Sequence, residues 1–463
     1  MKLNKEQHRA AYHMDGPMLV LAGPGSGKTH LLVERIRIMI EENHIPPDNI
    51  LVITFSKKAA RQMQKRFEKR VKDSSYPVTF GTFHAVFYHI LQQYDPNISR
   101  LITEEEISSF VRRAITDSMP DSDFFRSEEN TNTVAGLISA YKNFGEEFFE
   151  INEYALSFEP YEKEEFKKIC ELYSEYVRRA GLIDFDDMIV RCRELLRKHE
   201  SILRKWQKKY RYFLVDEFQD INDAQYDILR LLAGDGRNVF AVGDDDQSIY
   251  AFRGSRPQLM KKFKHQYVGC RQVTLTMNYR CCENVIGVAD AVIRHNIDRF
   301  DRPTQRHLPS KNGGTVMIVN AESTDVQAAF VCDTIEDMIR NGVYGEDEIA
   351  VLYRSDHCGL RFIKMAKKRD INVNVMTAHA SKGLEFKCVF MISLQEGLFP
   401  HKKDMDGNSE EERRLMYVAI TRAIECLYMC TVSTEHGKRP SRFVLEAMKN
   451  NKYITDCLRL KRV

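Results

Sequence analysis

Short apolar bursts alternate with stretches whose apolar positions recur at helical spacing, and this alternation organises the chain. From Asn4 to about Tyr94 it predicts strands at Met18 to Ala22, Asn49 to Ser56 and Val78 to Gly81, each followed by a helix, the βαβ rhythm of a parallel sheet. Near Asp95 the rhythm stops. As far as Gly181 only helical spacing and charge remain, as in Glu150 to Arg179, which predicts a helical subdomain over 95–181 inserted into the first unit. Alternation resumes at Leu182, and runs at Tyr212 to Val215 and Val239 to Val242 complete a first sheet, so that this unit spans 1–94 and 182–270. A second α/β unit is predicted over 271–463. Its strands fall at Val273 to Met277, Thr315 to Asn320, Glu348 to Tyr353, Val373 to Thr377, Val389 to Ser393 and Leu427 to Val432, with helices that include Asp325 to Arg340 and Glu410 to Cys426.

The first burst runs into Gly23-Pro24-Gly25-Ser26-Gly27-Lys28-Thr29, and a helical pattern at Leu32, Ile36, Met39 and Ile40 begins behind it. A buried strand leading through a glycine-rich turn into a helix N-terminus aims backbone N–H groups at the turn, the arrangement phosphate oxygens require. Gly23, Gly25, Ser26 and Gly27 supply that cradle. Lys28 then reaches the outer phosphates, and the Thr29 hydroxyl is offered to Mg²⁺. Ala22 occupies the place of the strict motif's first glycine, which is tolerable where that residue still belongs to the strand.

Phe213 to Asp220 sets two adjacent carboxylates at the end of a hydrophobic strand, the edge at which parallel sheets bind ligands. Beside a phosphate loop, Asp216 suits the metal and Glu217 suits the base that orients or deprotonates an attacking water. Val242 to Gly254 also follows a strand. Gln247 there is suited to sensing a γ-phosphate, whereas Tyr250, Phe252 and Arg253 are flat groups that could stack on bases or, for the aromatics, fill a core.

Taken in order, these segments resemble the UvrD/Rep/PcrA group of superfamily 1 DNA helicases. Leu3-Asn4-Lys5-Glu6-Gln7 is similar to the family's adenine-recognition segment, which implies Gln7 as adenine reader. Ile53 to Ala60 and Gly81-Thr82-Phe83-His84 resemble its single-strand contact motifs, implying Phe55, Thr82 and His84. Asp184 to Met188 looks like the return from the inserted subdomain. Asn278-Tyr279-Arg280 resembles the segment whose tyrosine stacks on adenine and whose arginine meets the γ-phosphate. Met376 to Phe386 implies DNA contacts from Thr377 and His379 and a ribose contact from Glu385, and Glu411 to Ala423 implies Arg422 as a second arginine finger. Tyr250 and Phe252 would join the grip on bases. The resemblance thus implies an α/β protein of two tandem RecA-like parallel-sheet motor domains with a helical insertion in the first. It implies ATP as fuel, Mg²⁺ as cofactor, 3′ to 5′ movement on single-stranded and tailed duplex DNA, and a place in DNA repair or replication, with a protein partner left open. Phe252 stands where relatives carry tryptophan. Only a few residues separate Asp370 from Met376, where many relatives insert a whole regulatory domain, so the chain reads as a compact form of the motor.

Composition narrows this without redirecting it. The 463 residues exceed one ordinary core, and 43% hydrophobic with 29% charged is globular. No apolar run approaches the ~18 residues of a membrane span, and the N-terminus is polar rather than signal-like, which predicts a cytoplasmic protein off the membrane; a monomer is expected. The net charge of +3 makes any polyanion track a local feature. Eleven cysteines without a C-x-x-C pair suggest neither a zinc ribbon nor a disulfide framework.

Overall fold

The computed structural model of the chain describes residues 2–127, 130–234, 238–251, 254–303, 305–311, 313–402, 409–433, 439–449 and 451–460. Two six-stranded sheets carry the architecture, and every pairing in both is parallel. In chain order, β1 (Met18–Ala22), β2 (Ile50–Thr54) and β3 (Thr79–Thr82) precede a helical block, and the short pair β4 (Arg100–Leu101) and β5 (Leu182–Ile183) stands at its entry and exit. After it come β6 (Tyr212–Val215), β7 (Asn238–Gly243) and β8 (Arg271–Leu275), giving the spatial order β3-β2-β6-β7-β1-β8. Met18, Val20 and Ala22 of β1 pack with Leu31, Leu32 and Ile36 on one face, while Leu19 and Leu21 pack with Phe83, Phe87 and Phe213 on the other. A strand buried on both faces has no position to spare for a polar side chain, hence its unbroken apolar sequence.

One strand moves relative to the sequence reading. The start of the run at Val273 to Met277, expected in the second unit, lies in β8 and extends the first sheet, with Met18 opposite Arg271 and Ala22 opposite Leu275. An edge strand buried on one face shows the same alternation in either sheet, so pairing with β1 rather than local pattern decides its place. Beyond it, β9 (Met277–Asn278) pairs with β10 (Arg306–His307) as a two-stranded link.

The second sheet comprises β11 (Thr315–Ala321), β12 (Ile349–Tyr353), β13 (Asn374–Thr377), β14 (Phe386–Met391), β15 (Ala423–Val432) and β16 (Asp456–Leu460), in the order β13-β12-β14-β15-β11-β16. The helix expected over Glu410 to Cys426 runs from Ser409 to Ile420, and its last expected residues enter β15. Both sides of that junction are buried and apolar, which leaves no amphipathic stripe to mark where helix ends. The helical block is built on Glu104–Ser118, Thr131–Phe144 and Pro160–Arg179 around Phe125, Phe148, Phe166 and Tyr173. Thr103 and Glu106 close a capping box at the first of these helices, and Pro160 opens the third. All eleven cysteines are free, and no helix among the described residues is long and apolar enough to cross a membrane.

Candidate nucleotide cleft and nucleic-acid face

The candidate residues gather where the carboxyl ends of β1, β6 and β7 meet the amino ends of β14 and β15. Gly27 caps the helix Lys28–Glu41 in a left-handed conformation (φ 82°), and Gly25 is left-handed too (φ 66°). Gly25 also needs its missing side chain, since a Cβ there would lie 2.7 Å from Arg280 Cβ and 2.5 Å from Asn278 Oδ1. The loop is clasped from outside. Asn278 Nδ2 donates to the Pro24 carbonyl at 2.9 Å, the Tyr279 N–H donates to the Gly25 carbonyl at 2.8 Å, and Gln7 Nε2 donates to the Ser26 carbonyl at 3.0 Å. Gln7 is buried because it also closes the capping box of the first helix with Asn4, whose Nδ2 donates to Tyr279 Oη at 2.8 Å.

Lys28 Nζ donates to Glu217 at 2.9 and 3.1 Å. Burial disfavours the Lys28 charge, yet Glu217, Asp216 and Asp244 together hold its pKa above the usual value. Burial and the Glu217 charge push the Asp216 carboxyl up to about 7. For Glu217 burial works upward, but Lys28 and Lys382 prevail and hold it at about 2. Glu217 takes a left-handed φ of 52°, the kind of non-glycine conformation that clusters at functional sites. The Thr29 hydroxyl and the Asp216 carboxylate are hard oxygen donors of the kind that fit a magnesium ion.

Two candidate arginines, Arg280 and Arg422, lie beyond the first sheet. Arg280 Nε lies 2.6 Å from Glu385 Oε2. Arg422 is buried and donates to the Val418 and Leu384 carbonyls, both at 2.9 Å, and to Thr421 Oγ1 at 3.2 Å. Burial, with the Arg280 charge close by, lowers its pKa to about 10. Gln247 is buried, its amide donating to Asp244 Oδ2.

On the nucleic-acid side Phe55, 40% exposed, stacks on Tyr250 with ring centroids 4.9 Å apart and planes 8° from parallel. Tyr250 is half-buried, stacking on Phe55 while also packing against the core of the second unit. Thr82 caps the helix Phe83–Gln92, accepting the Ala85 N–H at 3.2 Å, and His84 sits edge-on to Phe185 with its pKa lowered by burial. Phe55, His84 and Phe185 line a cavity of about 740 Å³ between the first sheet and the helical block, which Glu217 and Asp220 also line. Thr377 ends β13, its hydroxyl accepting the Ala380 N–H at 3.2 Å, and half-buried His379 follows on the same loop. Phe252 and Arg253 lie outside the described residues.

Two residues that motif reading left without a role stand out. Lys382, reaching across from the loop between β13 and β14, donates to Asp220 Oδ2 at 2.5 Å and to the Gln247 carbonyl at 2.8 Å, and lies 4.7 Å from the Tyr250 ring centroid. Asn278 is fully buried between the phosphate loop and the Arg280 and Cys281 N–H groups, which its Oδ1 accepts at 2.8 and 2.9 Å. Their sequence signal was only that they sit inside segments already rich in assigned residues.

A glycine-rich loop ending in Lys28 and Thr29 at the carboxyl edge of the first of two parallel sheets defines a phosphate-loop protein of two α/β units. The family model described as the UvrD/REP helicase N-terminal domain matches residues 3–268, and that of the UvrD-like helicase C-terminal domain matches residues 360–434. The chain belongs to the UvrD/Rep helicase family. YjcD of Bacillus subtilis (strain 168), provisionally named an ATP-dependent DNA helicase, is 35% identical over 369 residues, covering 77% of this chain and 46% of that protein. The ATP-dependent DNA helicase PcrA of Leuconostoc citreum is 31% identical over 360 residues (76% and 47%), and PcrA of Staphylococcus aureus (strain Mu50 / ATCC 700699) is 32% identical over 362 residues (76% and 48%). The chain spans about half the length of the curated relatives it matches. Between the helix Asp356–Lys368 and β13 only residues 369–373 intervene.

Proposed function

We propose that this chain is an ATP-driven translocase and helicase that moves 3′ to 5′ on single-stranded DNA, acting in DNA repair or replication. The observation that carries the reading is the Asn278–Arg280 segment, which links the two units, bonded directly to the phosphate loop of the first. Lys28 and the loop amides hold the triphosphate, Gln7 and Tyr279 border the base, Glu385 the ribose, Glu217 orients the attacking water, and Gln247, Arg280 and Arg422 meet the γ-phosphate. A magnesium ion held by Thr29 and Asp216 would neutralise phosphate charge. An arginine finger is worth roughly 10³ to 10⁵ in rate, or about 4–7 kcal/mol of transition-state stabilisation, so opening the cleft nearly stops hydrolysis. Phe55, Tyr250, Phe252 and His379 hold bases through their faces, which every base presents, with Thr82, His84 and Thr377 beside them. Alternate closing and opening then moves one grip past the other.

The short 369–373 link favours a second reading, a protein-displacing translocase that unwinds little alone. ATP hydrolysis with and without single-stranded DNA is the first measurement. Stimulation is expected, with Lys28→Ala abolishing it, and an unstimulated wild-type chain would sink both motor readings. Unwinding of tailed duplex against streptavidin displacement from single strands separates the two.

A further inference from the structure

Asp244, Asp245 and Asp246 follow β7 directly, are at most 2% exposed, and hold their carboxylate oxygens within 4.8 Å of one another. A divalent cation would suit such a group in isolation, but the positions it would take are filled by side chains from a segment more than fifty residues later. Arg302 Nη2 lies 2.7 Å from Asp244 Oδ1 and 2.9 Å from Asp245 Oδ1, and also contacts Asp246. Arg299 holds Asp246 through Nε at 3.0 Å and Nη2 at 2.6 Å, and the Phe300 N–H donates to Asp245 Oδ2 at 2.7 Å. Three successive aspartates are thus met by three groups on one strap.

The strap spans both units. Phe300 packs into the core of the first, and Asp298 accepts from Lys261 and Gln258 there, both at 2.6 Å. Its other end is fixed to the helix Ser409–Ile420. Asn296 accepts from Arg413 Nη1 at 2.7 Å and donates to the Glu410 carbonyl at 2.9 Å, while Arg414 Nη2 donates to the Asp298 carbonyl at 2.9 Å. That helix leads within two residues to Arg422.

Asp244 is the joint between these facts, because its Oδ2 takes the Gln247 amide while its Oδ1 takes Arg302. We propose that Arg302 is a positioning residue for Gln247: it fixes Asp244, Asp244 holds the glutamine amide, and the strap ties release of that amide to the helix that leads to Arg422. The inference rests on the functional reading above, in which Gln247 senses the γ-phosphate.

A double-mutant cycle tests it. Arg302→Lys keeps the buried charge and removes the planar fork, so it is the variant expected to fold, with thermal unfolding as the check. Asp244→Asn, which keeps the shape of the joint and weakens its bonds to Arg302 and Gln247, is the second variant. In the unaltered background each is expected to lower kcat of single-strand-stimulated ATP hydrolysis about tenfold with KM for ATP within about threefold. In a Gln247→Ala background each is expected to change kcat less than about twofold, because the group it positions is gone. A structural role would lower kcat equally in both backgrounds, and that result, or an unchanged kcat in the unaltered background, overturns the proposal. Absence of DNA-stimulated turnover in the wild-type chain would instead overturn the functional reading, and this one with it.

Discussion

Three glycines separate backbone strain from obstruction of the cleft. Gly16 and Gly25 both have positive φ, 86° and 66°, so alanine at either costs about 1–2 kcal/mol. Their surroundings differ: a Cβ at Gly16 meets nothing within 4 Å, whereas one at Gly25 falls 2.5 Å from Asn278 Oδ1 and 2.7 Å from Arg280 Cβ. Gly23 supplies the third case, with no positive φ and only the flexible Gln305 side chain in the way. Gly16→Ala is therefore expected to lower thermal stability and leave ATPase activity intact, and Gly23→Ala to cost little in stability. Gly25→Ala should show the same stability loss as Gly16→Ala and, by driving Asn278 and Arg280 off the loop, a fall in kcat on the order of 10³, the lower end of an arginine finger's worth. The assay is steady-state ATP hydrolysis with saturating single-stranded DNA, beside thermal unfolding and binding of a fluorescent ATP analogue. Gly25→Ala turning over within about threefold of Gly16→Ala would refute the argument that the second unit must touch the loop for hydrolysis.

Lys382 and Asp220 are a buried cross-cleft pair, and removing one partner of such a pair costs about 3–5 kcal/mol by stranding the other. Lys382→Met is expected to lower the unfolding temperature and abolish DNA stimulation, and adding Asp220→Asn to restore stability without restoring stimulation; recovery of both would reduce Lys382 to a structural counter-ion. Asp186 shares the space around Lys142 with Asp184 and Asp187 and accepts from Asn143 at 2.8 Å, and burial followed by the Asp184 charge raises its pKa. A carboxyl raised on folding destabilises fully above its folded pKa and not at all below its unfolded value of about 3.9. Asp186→Asn should therefore raise the unfolding temperature at pH 7.5, by an amount that shrinks as pH falls toward 4; a pH-independent difference would contradict the charge argument.

The sequence made the phosphate loop plain because turn, lysine and strand are contiguous, and β1 was readable to the residue because an apolar run bounded by Pro17 and Gly23 has sharp ends. Where a choice depended on partners, local pattern failed. Arg271–Leu275 could alternate on either sheet, and Asp456–Leu460 is an edge strand exposed at most positions with no apolar run to announce it. The Phe55–Tyr250 stack joins residues almost two hundred positions apart, and nothing in either neighbourhood distinguishes a stacked pair from two core aromatics. Lys382 is the sharpest case: its meaning lies in Asp220 and the Gln247 carbonyl, both on the other unit.

On the proposed function, the same dependence gives the second unit a hold on the first. A trans peptide is planar, so a residue's carbonyl and the next residue's N–H point in opposite directions. Fixing the carbonyls of Pro24 and Ser26 outward, on Asn278 and Gln7, thus turns the Gly25 and Gly27 N–H groups to the inner side of the loop, where phosphate oxygens would meet them. Gln7 belongs to the first unit and holds Ser26 whether the cleft is open or closed. In the proposed cycle Asn278 and Tyr279 hold Pro24 and Gly25 in the closed cleft. At about 1 kcal/mol net for each hydrogen bond, closure orients the cradle by about 2 kcal/mol, or roughly 30-fold in affinity. In that cycle the arginines would arrive with the contacts that shape the loop's amides, so tight triphosphate binding and competence to hydrolyse are expected to rise together as the two units meet.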